Sequence, residues 1–492
     1  MPSFRRAPFV YASLAVVLGL IVVLLLLSYK FHGNVTGFYR IGDRMQTSPL
    51  LDRSRAFIHN GKQGNDGQMF LTLAFDPLQR QPGTSAALDN PIYRGKRIFF
   101  PSLGWLAGLG QPALIPWALL LVNVISIGLA VFLLAQWFES QGQSPAWSLA
   151  FLAVPSVWIA LSLSMAELVD TTLLIGAIFS YRMQRTRLTA ALVTFAVLTR
   201  ETSLLLWAGL IIAVVIDHRW KQLRWLLPAP LLFLGLMAYL KLAVPQVPGQ
   251  LVAGFGPAFS WPLQGLLTKA GQLLVWPSSA EAIYDRGAFL LLLATVILDL
   301  LVILRRRELW PASVVLLCYL LPFLCVTARV YGRFPDYTRV MIYFYTLAVM
   351  ALPWVAGRWR FAWLSVAGVA SLGYVAGFLT EEVKSSPQPT VAAPNAVAGV
   401  RASRNQVAAQ QTQVDALRRA LRPAEMRYQS GGASSYLDLL DAQRSLFGAE
   451  LSLARVQGQQ ATDAVILYKA LGGGWPVAPD SESLTDGSLP NP

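Results

Sequence analysis

Phe9-Val-Tyr-Ala-Ser-Leu-Ala-Val-Val-Leu-Gly-Leu-Ile-Val-Val-Leu-Leu-Leu-Leu-Ser28 is an unbroken apolar run that follows Arg5-Arg6. A helix needs about twenty apolar residues to cross the hydrocarbon of a bilayer. The run gives way to Tyr29-Lys30 with no small-residue cleavage pattern, so it reads as an uncleaved first span with a cytoplasmic N-terminus.

The same signal recurs at 114–138, 146–164, 169–183, 188–199, 202–216, 225–243, 287–304, 309–328, 340–357 and 361–379. With 55% hydrophobic and 13% charged residues and a mean hydropathy of +0.49, the chain is too apolar for a soluble enzyme. Its net charge of +14 is gathered at Arg5-Arg6, 182–187, 219–224, Arg305-Arg306-Arg307 and 358–360, between apolar segments. That is the positive-inside pattern; outside the spans no basic face interleaved with aromatics suggests nucleic acid. Most of the 15 Trp fall near helix ends, as interface anchors do.

Residues 188–216 are short for two spans, but basic clusters flank both ends, and a hairpin turning at Arg200-Glu201 keeps both clusters inside. The expected fold is therefore an all-α polytopic bundle of about eleven spans, with the tail outside, in a bacterial periplasm. Were 188–216 one span, the tail would be cytoplasmic. Stretches 30–110, 244–286 and 329–339 lie outside and together enclose a candidate site. Cys318 and Cys325 sit two turns apart on one helix face, too far for a disulfide, and His32, His59 and His218 have no metal-ligand spacing. No metal site or cofactor is expected from these residues, and a divalent-metal requirement stays open.

The first loop carries Gly37-Phe-Tyr-Arg-Ile-Gly-Asp43, Asn65-Asp-Gly-Gln68, Phe75-Asp-Pro77, Leu88-Asp-Asn-Pro-Ile-Tyr-Arg94 and Arg97-Ile-Phe-Phe-Pro101. Acidic residues beside Gly, Asn and Pro suit tight turns that aim carboxylates into a cleft, although each Asp is equally able to close its own turn. The motifs from Asn65 onward, with Leu198-Thr-Arg-Glu-Thr202, resemble bacterial multi-spanning proteins of cell-surface glycopolymer formation, of GT-C glycosyltransferase type, over about 30–380. The resemblance implies a polyprenyl-phosphate sugar donor, a catalytic carboxylate in the first loop and usually inversion. A carboxylate in reach of the acceptor hydroxyl takes its proton, and basic groups stabilise the leaving phosphate.

By position Asp66 is the first candidate base and Asp43 the second; Asp76 and Asp89 read as turn residues. Arg94, Arg97, Arg200, Arg333 and Arg339 fall outside against the usual bias, as phosphate ligands would. Arg200 has an alternative in an ion pair with Glu201, Glu167 or Asp170. Glu167 and Asp170 end an apolar run and are candidate intramembrane acids, whereas Asp299 is alone in its helix.

Past residue 380 the character changes. Residues 381–398 read as a Pro/Ala/Ser linker, 399–475 as a helical hairpin and 476–492 as a disordered end. Val400, Val407, Val414, Leu421 and Tyr428, with Leu417, recur every seven residues, as do Leu440, Phe447, Ala454, Ala461 and Tyr468, so an antiparallel coiled coil closed by both sets is expected. The turn falls at 429–435 with Ser435 as a cap, and Pro423 should kink the first helix. Arg427-Tyr-Gln-Ser-Gly431, Tyr436-Leu-Asp-Leu-Leu-Asp-Ala-Gln-Arg-Ser-Leu-Phe447 and Leu467-Tyr-Lys-Ala-Leu-Gly-Gly-Gly-Trp475 resemble the C-terminal hairpin of TolC-type outer-membrane efflux channels. The resemblance places Asp438 and Asp441, which share a face, near a periplasmic entrance. It also implies that a channel needs two such repeats, barrel strands and trimerisation, so one hairpin does not make one.

Two functions follow as expectations. One is an inner-membrane glycosyltransferase using a lipid-linked sugar. The other is a transport component whose periplasmic tail couples to a TolC-like duct. A scaffold for polysaccharide assembly is a third, and the tail is either a docking element or a fused hairpin that folds on itself.

Overall fold

A computed structural model describes residues 6–244, 259–275, 277, 279–381, 383, 385, 392–429 and 436–470. The chain divides into two compact units, Met1–Ser385 and Ser386–Pro492.

Every apolar segment of the first unit is helical. Arg6–Leu25 continues through a wide turn to Lys30, and Ile115–Ser140, Pro155–Ser162, Glu167–Arg182, Thr186–Thr199, Leu204–Ile216, Pro228–Ala243, Ala280–Ile303, Ala312–Cys325, Ile342–Ala351 and Gly357–Thr380 follow. Among the described residues five helices are long and apolar enough to cross a membrane, and a pair bent by 60° at Val154 makes six. The expected spans thus comprise five or six helices of full crossing length and shorter apolar helices. Ile342–Ala351, one of the shorter ones, has all its residues buried in the core of the bundle. The first helix is the opposite case. Val10, Leu14, Val17, Ile21 and Leu24 are exposed on it, which suits lipid and not water. The protein is a multi-pass, all-α membrane protein.

The stretch after the first helix is a folded layer. Ile41-Gly42 pairs in parallel with Ile58-His59, the longest ladder among the described residues, and helices Asp66–Phe75, Pro91–Gly95 and Phe99–Ala107 follow. Phe31, Phe38, Tyr39, Phe70 and Phe100 bury this layer in the same core as the membrane helices. The two ends of the unit meet there. Glu381, just past the last helix, accepts from Arg40 Nη2 at 2.7 Å and from Lys30 Nζ at 3.3 Å, and Lys30 also donates to the Phe378 carbonyl. The last helix therefore ends on the face where the first loop begins.

In the second unit, helices Ala392–Gln429 and Tyr436–Ala470 form an antiparallel pair. The first begins inside the expected linker, because Ala-rich sequence favours helix, and it runs on through Pro423. Val400, Val407, Val414, Leu417 and Leu421 face the pairing seam as expected, but Tyr428 is exposed. The second helix departs from expectation. Leu440, Phe447, Ala454, Ala461 and Tyr468 all point outward, and the seam is closed by Leu439, Ala442, Leu446, Ala449, Leu453 and Val456. Both sets repeat every seven residues, so periodicity alone does not choose between them; the buried set is the one Val414 reaches. The turn at 430–435 with Ser435, and the end from 471, lie outside the described residues.

Candidate functional site

The motif Asn65-Asp-Gly-Gln68 starts a helix, and each residue has a task. The Asn65 side chain caps it by accepting from the Asp66 amide at 2.7 Å. Gly67 permits close packing, since a Cβ there would stand 2.6 Å from the Leu163 carbonyl oxygen and 3.1 Å from Tyr39 backbone. Gln68 accepts from the Gly42 amide at 3.0 Å, tying the helix to the short ladder. Asp66 is thereby fixed at the helix start, pointing at two guanidiniums.

The second motif supplies one of them. Asn90 caps Pro91–Gly95 by accepting from the Tyr93 amide at 2.9 Å, with Pro91 in the first turn where its missing N–H is harmless. The short helix aims Arg94, which donates to Asp89 from Nε at 2.7 Å and Nη2 at 2.6 Å and to Asp66 from Nη1 at 2.7 Å. Asp89, read from sequence as a turn residue, is thus the bidentate anchor of Arg94. The other guanidinium arrives from far along the chain. Arg339 Nη1 donates to Asp66 Oδ2 at 2.8 Å and lies 3.3 Å from Glu167 Oε1, which also stands 2.7 Å from Arg200 Nη1. Asp89, Arg94, Asp66, Arg339, Glu167 and Arg200 form one continuous chain of charge.

A second group stands beside it. Glu201 accepts from Arg97 Nε and Nη2, both at 2.8 Å, and Lys96 Nζ lies 3.1 Å away. Here two cations meet one carboxylate. Arg97 also donates to the Tyr93 hydroxyl at 2.6 Å, and Lys96 Nζ sits 4.1 Å from the centre of the Tyr93 ring. Deeper, Asp170 accepts from Ser203 Oγ at 2.6 Å and from the Tyr343 hydroxyl at 2.7 Å. Burial pushes the Asp66 carboxyl up, but Arg94, Arg339 and Arg97 outweigh it and hold the group well below the usual carboxylate range.

Of the sequence candidates, Asp66, Arg94, Arg97, Arg200, Arg339, Glu167 and Asp170 converge here. Arg200 takes Glu167, one of its expected partners, while Glu201 turns to Arg97. Three others stand apart. Asp43 is exposed and accepts from the Gly61 amide at 2.8 Å, closing a turn. Arg333 is exposed and pairs locally with Asp336 at 3.0 Å. Asp76 accepts from the Gln81 amide and Thr84 hydroxyl, both at 2.9 Å, as a turn residue does. Asp299 is buried with both oxygens unpartnered among the described residues. Of the second outer stretch, Lys269 pairs with Asp285 at 2.5 Å and sends no charge to the cluster. Sequence reasoning passed over Lys96 and Tyr93; the run Tyr93-Arg-Gly-Lys-Arg97, three cations around one aromatic, was the available signal. Among the described residues no group of three His, Cys, Asp or Glu is placed to hold a metal ion. In the tail, Asp438 and Asp441 are both exposed in the first turns of the second helix.

Comparison with known proteins separates the two units. Residues 391–473 match the family model of the outer membrane efflux protein. The solvent efflux pump outer membrane protein SrpC of Pseudomonas putida is 45% identical over 73 residues, 15% of each chain. The pyoverdine export outer membrane protein OpmQ of the same species is 48% identical over 66 residues, 13% of this chain and 14% of the other. The cation efflux system protein CusC of Escherichia coli is 42% identical over 71 residues, 14% of this chain and 15% of the other. This chain spans about 15% of the length of the curated relatives it matches. A structural alignment with ArnT from Cupriavidus metallidurans in the apo state covers 92% of this chain and 77% of that one at 14% identity. Its TM-score of 0.37 is too low to establish a shared fold.

Proposed function

We propose that the membrane unit is an inner-membrane, GT-C-like glycosyltransferase that takes a sugar from a polyprenyl-phosphate donor at the extracytoplasmic face. The observation that carries this reading is the meeting of Asp66 with Arg94 and Arg339, beside a group in which Lys96 and Arg97 outnumber Glu201. The extra positive charge suits a lipid phosphate. In the step, the acceptor oxygen attacks the anomeric carbon, the bond to the phosphate oxygen breaks with its electron pair, and the acceptor proton passes to Asp66. Two guanidiniums make Asp66 a weak base at rest. A donor phosphate drawing Arg94 or Arg339 toward itself raises the carboxylate's proton affinity when the substrate is in place. The order of the first-loop motifs supports the assignment.

The basic segment ends favour a cytoplasmic N-terminus, and together with the contact of Glu381 with Lys30 and Arg40 they support a periplasmic start for the tail. The reading is tested with Asp66→Asn in cells that make the polymer. Loss of glycopolymer at an unchanged membrane level is expected, and polymer made at the wild-type rate would overturn it.

A second reading, a transport component coupled to a TolC-like duct, rests on the match of residues 391–473. Deleting 392–492 discriminates: altered efflux-substrate sensitivity with intact polymer supports transport, and lost polymer with normal sensitivity opposes it.

A further inference from the structure

The outward face of the second tail helix has a pattern of its own. Phe447, Leu451, Leu440, Val465 and Tyr468 are 68%, 46%, 41%, 53% and 49% exposed, although their heptad spacing is that of a coiled-coil seam. The helix therefore carries two seams. One is filled by the first tail helix, and the other is covered by nothing among the described residues.

We infer that the outer seam is an antiparallel interface with a second copy of this chain. The argument lies in the order of side-chain sizes. Large groups occupy the first half, in Leu440, Phe447 and Leu451, and small ones the start of the second half, in Ala454, Gly458 and Ala461. Run antiparallel against itself, the stripe sets Phe447 on Gly458, Leu451 on Ala454 and Leu440 on Val465, large on smaller in these three layers. Gly458 has the room, since a Cβ built there meets no atom within 4 Å. Charge opposes the parallel alternative. Arg444 lies on the stripe and would face its own copy in parallel, whereas in the antiparallel register it lies over Ala461 and extends past it to water. The exposed parts of the five large side chains of two copies come to about 1,000 Å², the size at which a specific interface begins. The pairing is symmetric, so one patch serves both copies and the contact closes on itself. It holds whichever chemistry the membrane unit performs.

The test is crosslinking of two differently tagged full-length copies in native membranes, in a background carrying Cys318→Ala and Cys325→Ala, with a short bis-maleimide. Phe447→Cys on one copy with Gly458→Cys on the other should crosslink at least about 10-fold more than either variant with itself, because antiparallel pairing separates the two copies of Phe447, and the two of Gly458, by about 16 Å. Leu451→Cys with Ala454→Cys should crosslink as well, with each also able to link to its own copy because like residues there lie only about 4.5 Å apart along the axis, and adding Phe447→Glu to both copies should remove that product. The substituted sites are exposed, so the hairpin's own seam is untouched. Self-crosslinking of Phe447→Cys or of Gly458→Cys to the level of the mixed pair would show a parallel contact and overturn the inference. Absence of crosslinks from both mixed pairs would also overturn it, as expected if the stripe packs on the helices of an efflux duct. So would survival of the Leu451→Cys/Ala454→Cys product when both copies carry Phe447→Glu.

Discussion

Asp66 Oδ1 accepts from Arg94 Nη1 at 2.7 Å while Asp66 Oδ2 accepts from Arg339 Nη1 at 2.8 Å, so one carboxylate joins the first loop to a residue 273 positions further along the chain. That bridge ties the loop to the segment before Ile342–Ala351. Asp66→Asn keeps the shape but leaves two buried guanidiniums facing an amide. The expected outcome is a loss of transfer of at least ~100-fold, within the contribution of an acid–base group, with the protein still in the membrane. In the unliganded protein the carboxylate stays ionised throughout the ordinary carboxylate range. The kcat/KM profile should therefore show no acid limb from Asp66 above about pH 4; an acid limb near neutrality that vanishes in Asp66→Asn would count against this electrostatic picture.

Gly67→Ala probes position without touching charge. The added methyl would stand 2.6 Å from the Leu163 carbonyl, so the start of Asp66–Phe75 must shift. A misplacement of about 1 Å can lower a rate by about 100-fold. Transfer is expected to fall by at least ~10-fold at unchanged expression, and an unaffected rate would show that Asp66 need not be held so closely.

Much of this arrangement was legible beforehand, and the exceptions have physical causes. Asp66 and Arg94 were visible because their neighbours Asn65, Gly67, Asn90 and Pro91 are cap and turn residues with restricted uses. That Arg339 and not Arg333 joins them was hidden: the two arginines share a segment, and only tertiary packing buries one and leaves the other in water. Asp89 looked like a turn residue because its role depends on a partner five residues away. The outward stripe of the second tail helix was misassigned for a related reason. A helix with two heptad stripes gives one period, and the partner decides which stripe closes.

His59 offers a pH test of the face where the two ends of the membrane unit meet. Burial, and next Arg40, lower its pKa from 6.5 to about 4, and its Nε2 has no partner among the described residues. Between these values the unfolded chain binds a proton that the fold refuses. Stability is full above about pH 6.5, falls as pH drops toward 4 and levels off below, a loss on the order of 3 kcal/mol at most. In detergent, thermal unfolding of the wild type should show this slope, and His59→Phe should flatten it. An equal slope in the variant would assign the titration to other groups.

The hairpin's two seams predict opposite responses to similar truncations. Val414 is fully buried in the inner seam, and Val414→Ala should lower the resistance of residues 392–470 to limited proteolysis, by about 2 kcal/mol in opening free energy. Phe447 is 68% exposed, so Phe447→Ala removes more carbon yet should leave the opening of a single hairpin within about 0.5 kcal/mol of wild type. The comparison belongs at high dilution in detergent, where copies are apart. If Phe447→Ala opens the hairpin as readily as Val414→Ala, the inner seam is not the one drawn here, and Leu440, Phe447 and Tyr468 return to the position their spacing first suggested.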